Sequence, residues 1–385
     1  MTAQHVSVAD FRRSAARRLP RFVFDYLEGG AGSEAGLKRN REAYGEFGFL
    51  PRRLVDVSRP STAVSLWGRS HAMPVYLSPT GLNGMLRHDG DAMLARAAAR
   101  AGIPFALSTA ANMSIEDAAR AGDGEKWFQL YVIQRDLARS LVERALAADY
   151  AALILTVDVP VNGYRERDIR NGFSVPVKVT PKLVLDGALR PGWSLAYLRN
   201  GAPRMRNMEA DGAMNLEAQA ALLSRRMDAG FDFEALRWLR DLWPRPLIVK
   251  GLLRADDAAA CAAIGVDAVV MSNHGGRQVD GAVTGFETVE AAAARLDIPV
   301  FFDGGIRCGE EVIKGLCLGA RMAGLGRAAL YALAADGEAG VDRCLSLFRD
   351  DLTRTLVLLG APDLSALGPD LLARRASQAT DRSWG

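Results

Sequence analysis

Eight short apolar runs recur along the chain, and each stops abruptly at a polar residue or a glycine. They are Pro74–Ser78, Phe105–Ser108, Trp127–Tyr131, Ala152–Thr156, Leu247–Val249, Ala268–Met271, Val300–Phe302 and Met322–Leu325. Nearly uniform apolarity over so few residues predicts strands buried on both faces, as in a parallel sheet. Alanine-rich, helix-favouring stretches separate most of them, at 91–101, 115–121, 136–148, 255–264, 285–295 and 309–318. Eight strand–helix units are the number that closes a (β/α)8 TIM barrel in the α/β class. An open, doubly wound sheet is the competing architecture, but it offers no reason for eight similar units.

Two regions break the rhythm. Residues 1–65 form an N-terminal extension with a predicted helix over 6–18, followed by LPRFVFDYLEGGAGSE. A long insertion at about 177–215 follows the fourth strand, and helical runs at 216–227 and 233–242 precede the fifth. The expected organisation is one domain over 1–385, with the barrel at about 70–360. An insertion after a barrel strand emerges at the active-site end, where it serves as a lid or a docking element.

Composition narrows the function without choosing it. The 385 residues are 49% hydrophobic, enough for a large core, and 48 basic residues against 45 acidic ones leave a charge of only +3. That balance, with no RNA or DNA motif, argues against a nucleic-acid partner. Four scattered cysteines without a CxxC pair read as reduced thiols and imply no metal site. The first twenty residues lack an apolar signal core, and no window of 18 apolar residues exists, so a cytoplasmic location without a spanning helix is expected.

Charge is concentrated in one place. Within 178–206, Lys178, Lys182, Arg190, Arg199, Arg204 and Arg206 stand against one acid, Asp186, and alternate with Leu183, Leu185, Trp193, Tyr197 and Leu198. Such a mixture suits the headgroup boundary of a membrane. A lid over the barrel mouth, or an oligomer contact with a basic rim, is the alternative.

In a barrel, chemistry gathers at the C-terminal ends of the strands. Those ends read Thr80–Gly81, Ser108, Gln129 with Tyr131, Thr156 with Asp158, Lys250, Ser272 with His274, Asp303 to Arg307, and Gly326–Arg327. Any one of them alone reads as a solvated loop residue; eight together point to a site. The last two ends, DGGIR and GLGR, place Gly304, Gly305 and Gly326 before helices and supply Arg307 and Arg327. Backbone N–H groups at helix starts, with guanidinium forks beside them, bind phosphate. In SNHGGRQ, His274 stands at a strand end beside two glycines, with Arg277 three residues on. Imidazole can take a proton near neutral pH, and guanidinium can hold a carboxylate bidentately. Asp158 is the candidate to stabilise the imidazolium, and Arg165 is a second cation. Together they describe a site for an anionic acid that loses a proton beside its carboxylate.

The ordered series LPRFVFDYLEGGA, LSPTG, STA, WFQLYV, TVDVPVNGYRERD, IVKG, SNHGGRQ, DGGIR and GLGRA resembles the FMN-dependent α-hydroxy acid dehydrogenase/oxidase family along nearly the whole chain. NMSIEDAAR, TPKLVLDGALRPGWSL and EALRWLRDLWP extend the resemblance through the insertion to the family's membrane-associated bacterial dehydrogenases. The resemblance implies FMN, and oxidation of a 2-hydroxy acid, mandelate or a related aromatic one, to the keto acid. His274 would be the base, taking either the α-proton or the hydroxyl proton, and Asp158 would stabilise its protonated form. Arg165 and Arg277 would grip the carboxylate, with Tyr26 and Tyr131 hydrogen-bonding the substrate. Lys250 would sit at the flavin N1/O2 edge, with Ser272 nearby. Pro79, Thr80, Gly81, Ser108, Gln129 and Thr156 would contact the flavin ring. Asp303 would hold the ribityl chain, and Gly304, Gly305, Arg307, Gly326 and Arg327 the phosphate. Gly81 stands where many oxidases of the family carry alanine, and the resemblance links the smaller residue to the dehydrogenase branch. The resemblance further implies a quinone or similar acceptor, peripheral docking at the cytoplasmic side of the inner membrane, and a homotetramer. A soluble oxidase that uses O2 on lactate, glycolate or hydroxymandelate is the nearest alternative. A flavin-dependent isomerase gives no reason for two arginines, and a non-catalytic scaffold none for the histidine–aspartate pair.

Overall fold

The eight runs are strands β1 (Val75–Thr80), β2 (Phe105–Ser108), β3 (Lys126–Leu130), β4 (Ala152–Thr156), β5 (Leu247–Leu252), β6 (Ala268–Met271), β7 (Val300–Asp303) and β8 (Met322–Leu325). The structure, a computed structural model, describes residues 5–172, 180–210, 213–214 and 227–375. The strands pair in parallel in sequence order, and β8 closes on β1. This is the expected (β/α)8 barrel. β1 and β5 run past their apolar stretches, because a ladder pairs backbone groups and needs no apolar side chain. Both carry an irregular register near the end, between Leu77 and Thr80 and between Lys250 and Leu252. Register sets the site: Ser108 lies opposite Gln129, and Thr156 opposite Lys250.

Side chains alternate between barrel interior and helical layer. Tyr76, Trp127, Ile154, Ile248, Val270, Phe301 and Met322 fill the interior. A hairpin of Val64–Leu66 and Arg69–His71 adds Val64 and Leu66 to this cluster, and Trp67 packs against Trp127 and Phe301. The hairpin and Trp67 thus pack over one end of the interior cluster.

In the extension, helix α1 (Val8–Arg18) starts two residues later than predicted. Ser7 caps it, and Asp10 reaches back to complete a capping box. Helix α2 (Arg21–Glu28) was hidden in the aromatic run FVFDY, where helical spacing is hard to read. The described part of the insertion holds α3 (Pro181–Ala188) and α4 (Pro191–Asn200), each opened by a proline at its first turn. Lys178, the side chain of Lys182 and all but Met227 of the helical run expected over 216–227 lie outside the described residues. The last α-helix among the described residues, α5 (Arg327–Leu359), is broken at Asp336–Gly337 and packs against α1.

Candidate active site

At the C-terminal end of the barrel lies a cavity of about 530 Å³, an ordinary size for a small-molecule site. Its lining holds Tyr26, Pro79, Thr80, Gly81, Ser108, Tyr131, Thr156, Arg165, Lys250, His274 and Arg277. Asp303, Gly304, Gly305, Arg307, Gly326 and Arg327 complete the predicted set on the same wall. Gln129, Asp158 and Ser272 stand one layer behind. Each is bonded to a lining residue: Gln129 Oε1 accepts from Ser108 (2.9 Å), Asp158 Oδ1 lies 2.9 Å from His274 Nδ1, and Ser272 Oγ accepts from Lys250 (2.7 Å).

The stretch after β6 explains its glycines. His274, Gly275 and Gly276 take three successive left-handed conformations, with φ of 57°, 64° and 74°. A Cβ at Gly276 would lie 2.6 Å from the backbone nitrogen of Leu37. Histidine is one of the few side-chain-bearing residues that enter this region at modest cost, and such strain concentrates at functional sites. The turn is pinned by Asn273 Oδ1, which accepts from Gly276 N–H (3.0 Å) and from Asn40 Nδ2 (2.9 Å).

With Nδ1–H donated to Asp158, Nε2 is the nitrogen that exchanges a proton. Burial pushes the Asp158 carboxyl up, but His274 and Lys250 outweigh it, and the group stays below the usual carboxylate range. Burial likewise lowers the Lys250 ammonium, yet Asp303 and Asp158 more than compensate, and its pKa is raised. Lys250 Nζ sits 2.9 Å from Asp303 Oδ2, while Ser272 Oγ bridges to Asp303 Oδ1 at 2.5 Å. A fixed cation thus stands at the floor of the cavity at neutral pH.

The arginines are aimed by the extension. Arg277 Nη1 donates to the carbonyls of Tyr26 (2.9 Å) and Gly29 (2.7 Å), and its guanidinium lies over the Tyr26 ring at 5.1 Å. Arg327 donates to the carbonyls of Leu27, Gly29 and Gly275 at 2.8–3.0 Å. Burial, with Arg277 and Arg307 adding like charge, pulls Arg327 down to about 10, so it remains a cation. Buried Arg165 donates Nε to the carbonyl of Arg277 at 3.4 Å.

The residues that hold this set were not singled out from sequence. Gln278 donates to the carbonyls of Asp158 (2.8 Å) and Val161 (2.9 Å), tying the β4 loop to the β6 loop. Its place at the end of SNHGGRQ was the available signal. Asn40 and Tyr44, whose hydroxyl donates to the carbonyl of Gly304 (2.6 Å), gave none.

Gly304 and Gly305 have φ of 106° and 81°, and a Cβ at Gly305 would fall 1.9 Å from the Asn40 carbonyl oxygen. They open the wall between β7 and the helix Gly309–Cys317, while Gly326 precedes α5. Among the buried polar atoms around the cavity without a hydrogen-bond partner are Ser78 Oγ, Gln129 Nε2 and Thr156 Oγ1. Buried polar groups are normally satisfied, so these atoms describe the polar outline of a ligand.

The pattern has counterparts. The family model for FMN-dependent dehydrogenases matches residues 15–374. An (S)-mandelate dehydrogenase of Pseudomonas putida is 52% identical over 372 residues, covering 97% of this chain and 95% of the relative. An L-lactate dehydrogenase of Caulobacter vibrioides is 40% identical over 379 residues, covering 97% of this chain and 99% of the relative. The crystal structure of a monotopic membrane protein, (S)-mandelate dehydrogenase, superposes with a TM-score of 0.94 at 52% identity, over 97% of this chain and all of that one. Matched along nearly its whole length by the family model, by these relatives and by the superposed fold, the chain belongs to the FMN-dependent dehydrogenase family.

Proposed function

We propose that the protein oxidises an (S)-2-hydroxy acid, mandelate or a related aromatic one, to the 2-keto acid. The observation that carries this is the His274–Asp158 pair sharing one cavity with Arg165 and Arg277. FMN fits the remaining wall. Gln129 Nε2, Thr156 Oγ1 and Ser78 Oγ offer unused polar atoms to a flavin ring and its edge, and the Gly304–Gly305 turn with Arg307 and Arg327 suits a phosphate. Pro79, Thr80, Gly81 and Ser108 would border the ring, and Lys250 with Asp303 would stand at its pyrimidine edge and ribityl chain. FMN, when bound, supplies the two-electron acceptor.

The chain's own groups do the rest. Arg165 and Arg277 hold the carboxylate, and Tyr26 and Tyr131 orient the hydroxyl end. His274 Nε2 takes the proton released as the substrate is oxidised, and ionised Asp158 stabilises the imidazolium across Nδ1. Lys250 is an already placed cation where negative charge develops, which is electrostatic preorganisation. Room for an aromatic substituent comes from small and apolar lining at Gly81, Ala110, Leu86 and Met205. A Cβ at Gly81 would sit 2.8 Å from the Ala110 Cβ, so even one methyl narrows that corner.

Electrons leave, on this reading, to a membrane quinone or similar acceptor, from a homotetramer docked at the cytoplasmic face of the inner membrane. Among the described residues no helix is long and apolar enough to cross a bilayer. The insertion instead exposes Leu185 on α3, Leu195 and Leu198 on α4 and Leu189 between them, with Arg190 in the link and Arg199 on α4, a composition that supports interfacial docking. Anaerobic titration with mandelate, lactate and glycolate tests the substrate: mandelate should bleach the flavin fastest. No bleaching by any of the three would refute the reading, and stoichiometric peroxide under air would move it to an oxidase.

A further inference from the structure

A second cavity, about 1080 Å³, shares Leu86 with the catalytic one. Its walls are the end of α1, the turn after β1, the loop after β2, and the insertion from Leu189 to Arg206. Six arginines line it: Arg17, Arg18, Arg87, Arg190, Arg204 and Arg206. Three carboxylates share the lining, half the number of arginines, and each has a partner. Asp89 pairs with His88 (3.1 Å), Asp117 with Arg120 (2.5 Å), and Asp91 accepts from Asn83 Nδ2 and the Asn112 backbone. Burial and the facing charge of Arg18 lower the pKa of Arg87, relieved only in part by Asp336, so like charges meet across the space.

The cavity is built in advance of any ligand. Trp193 of α4 donates Nε1 to the Met85 carbonyl (2.8 Å), stacks on Tyr197 at 5.1 Å and meets the edge of Phe22 at 5.8 Å. Those contacts fix the insertion as a wall. Leu189 lines the cavity and is also exposed, and Leu195 and Leu198 continue the apolar surface along α4. A cationic chamber beside exposed leucines matches an amphiphile with an anionic head. The geometry points to a site for the headgroup phosphate of an anionic phospholipid, with its acyl chains lying along α3 and α4. This inference rests on the membrane reading above and adds a discrete, saturable pocket to it.

The test uses the full-chain holoenzyme and dihexanoyl phosphatidylglycerol below its micelle concentration, followed by calorimetry against dihexanoyl phosphatidylcholine. The phosphatidylglycerol should saturate one site per chain. Arg87→Gln with Arg190→Gln should weaken it about thirtyfold, from roughly a fivefold factor per cation removed. Arg69→Gln with Arg321→Gln, at the opposite end of the barrel, should leave it within about twofold. Equal binding by the cavity pair and the wild type, equal loss in both pairs, or binding of inorganic phosphate as tight as the lipid would each overturn the assignment. Sedimentation with vesicles of phosphatidylcholine and phosphatidylglycerol in equal parts tests the membrane reading separately. Leu195→Ser with Leu198→Ser should release the protein from them, and a wild type that stays in the supernatant would remove that reading while the calorimetry still decides the pocket.

Discussion

His274 meets two demands at once, a proton-accepting nitrogen and a backbone turned into the left-handed region. The demands can be separated by substitution. Asparagine enters that region as readily as histidine but carries no base. His274→Asn should therefore keep the β6 turn and retain FMN at the wild-type ratio, while the rate of flavin reduction by substrate falls by about 10²–10⁴-fold or more. Stopped-flow reduction together with the flavin-to-protein absorbance ratio measures both; a rate within tenfold of wild type would end the assignment of His274 as base. Much of this scale was legible in the sequence, since strand ends deliver side chains to one mouth and the eight ends could be read in order. The anchors were not. Asn40, Tyr44 and Gln278 act on backbone carbonyls or amide groups far away in sequence, and that partnership leaves no local pattern.

The helix Gly90–Ala101 shows how elements are tied beneath the cavity. Its second residue, Asp91, is fully buried and accepts from Asn83 Nδ2 (2.7 Å) and Asn112 N–H (2.8 Å), joining the β1 and β2 loops. Burial outweighs those bonds and raises its pKa to about 6, against 3.8 for the ordinary group. The folded state thus binds this proton more tightly than the unfolded one. Its contribution is complete below about pH 3.8 and declines as pH rises through 6, by about 3 kcal/mol in all. Asp91→Asn cannot ionise, and an Asn83 flip would satisfy its new amide. Urea midpoints should favour the variant increasingly from about pH 4 to pH 7, and parallel curves would contradict the sign. Elements themselves were legible where apolar runs were short and bounded, as for β2, β4, β6 and β8, which match to the residue. α2 was obscured by its aromatics, and α3 and α4 by prolines, which read as breakers although they open those helices.

At the scale of the whole molecule, the N-terminal extension belongs to the catalytic unit. The carbonyls of Tyr26, Leu27 and Gly29, at the end of α2, orient Arg277 and Arg327. Glu28 accepts from Arg12 of α1 and from Tyr331 of α5, and these bonds overcome burial to hold its carboxyl below the ordinary range. α1 is itself fastened through Phe11, fully buried, to the layer that α5 completes. Sequence placed this extension outside the barrel and gave it one candidate, Tyr26, because hydrogen bonds from side chains to distant carbonyls cannot be read from residue type. If the extension and barrel form one cooperative unit, loosening α1 must loosen the arginines. Phe11→Ala should cost about 3–5 kcal/mol, the usual loss for a buried phenyl ring. Flavin release and loss of helical circular dichroism should shift together to lower denaturant. Flavin leaving first, while the ellipticity holds at its wild-type midpoint, would mean that the extension detaches on its own and that the arginines are aimed from within the barrel.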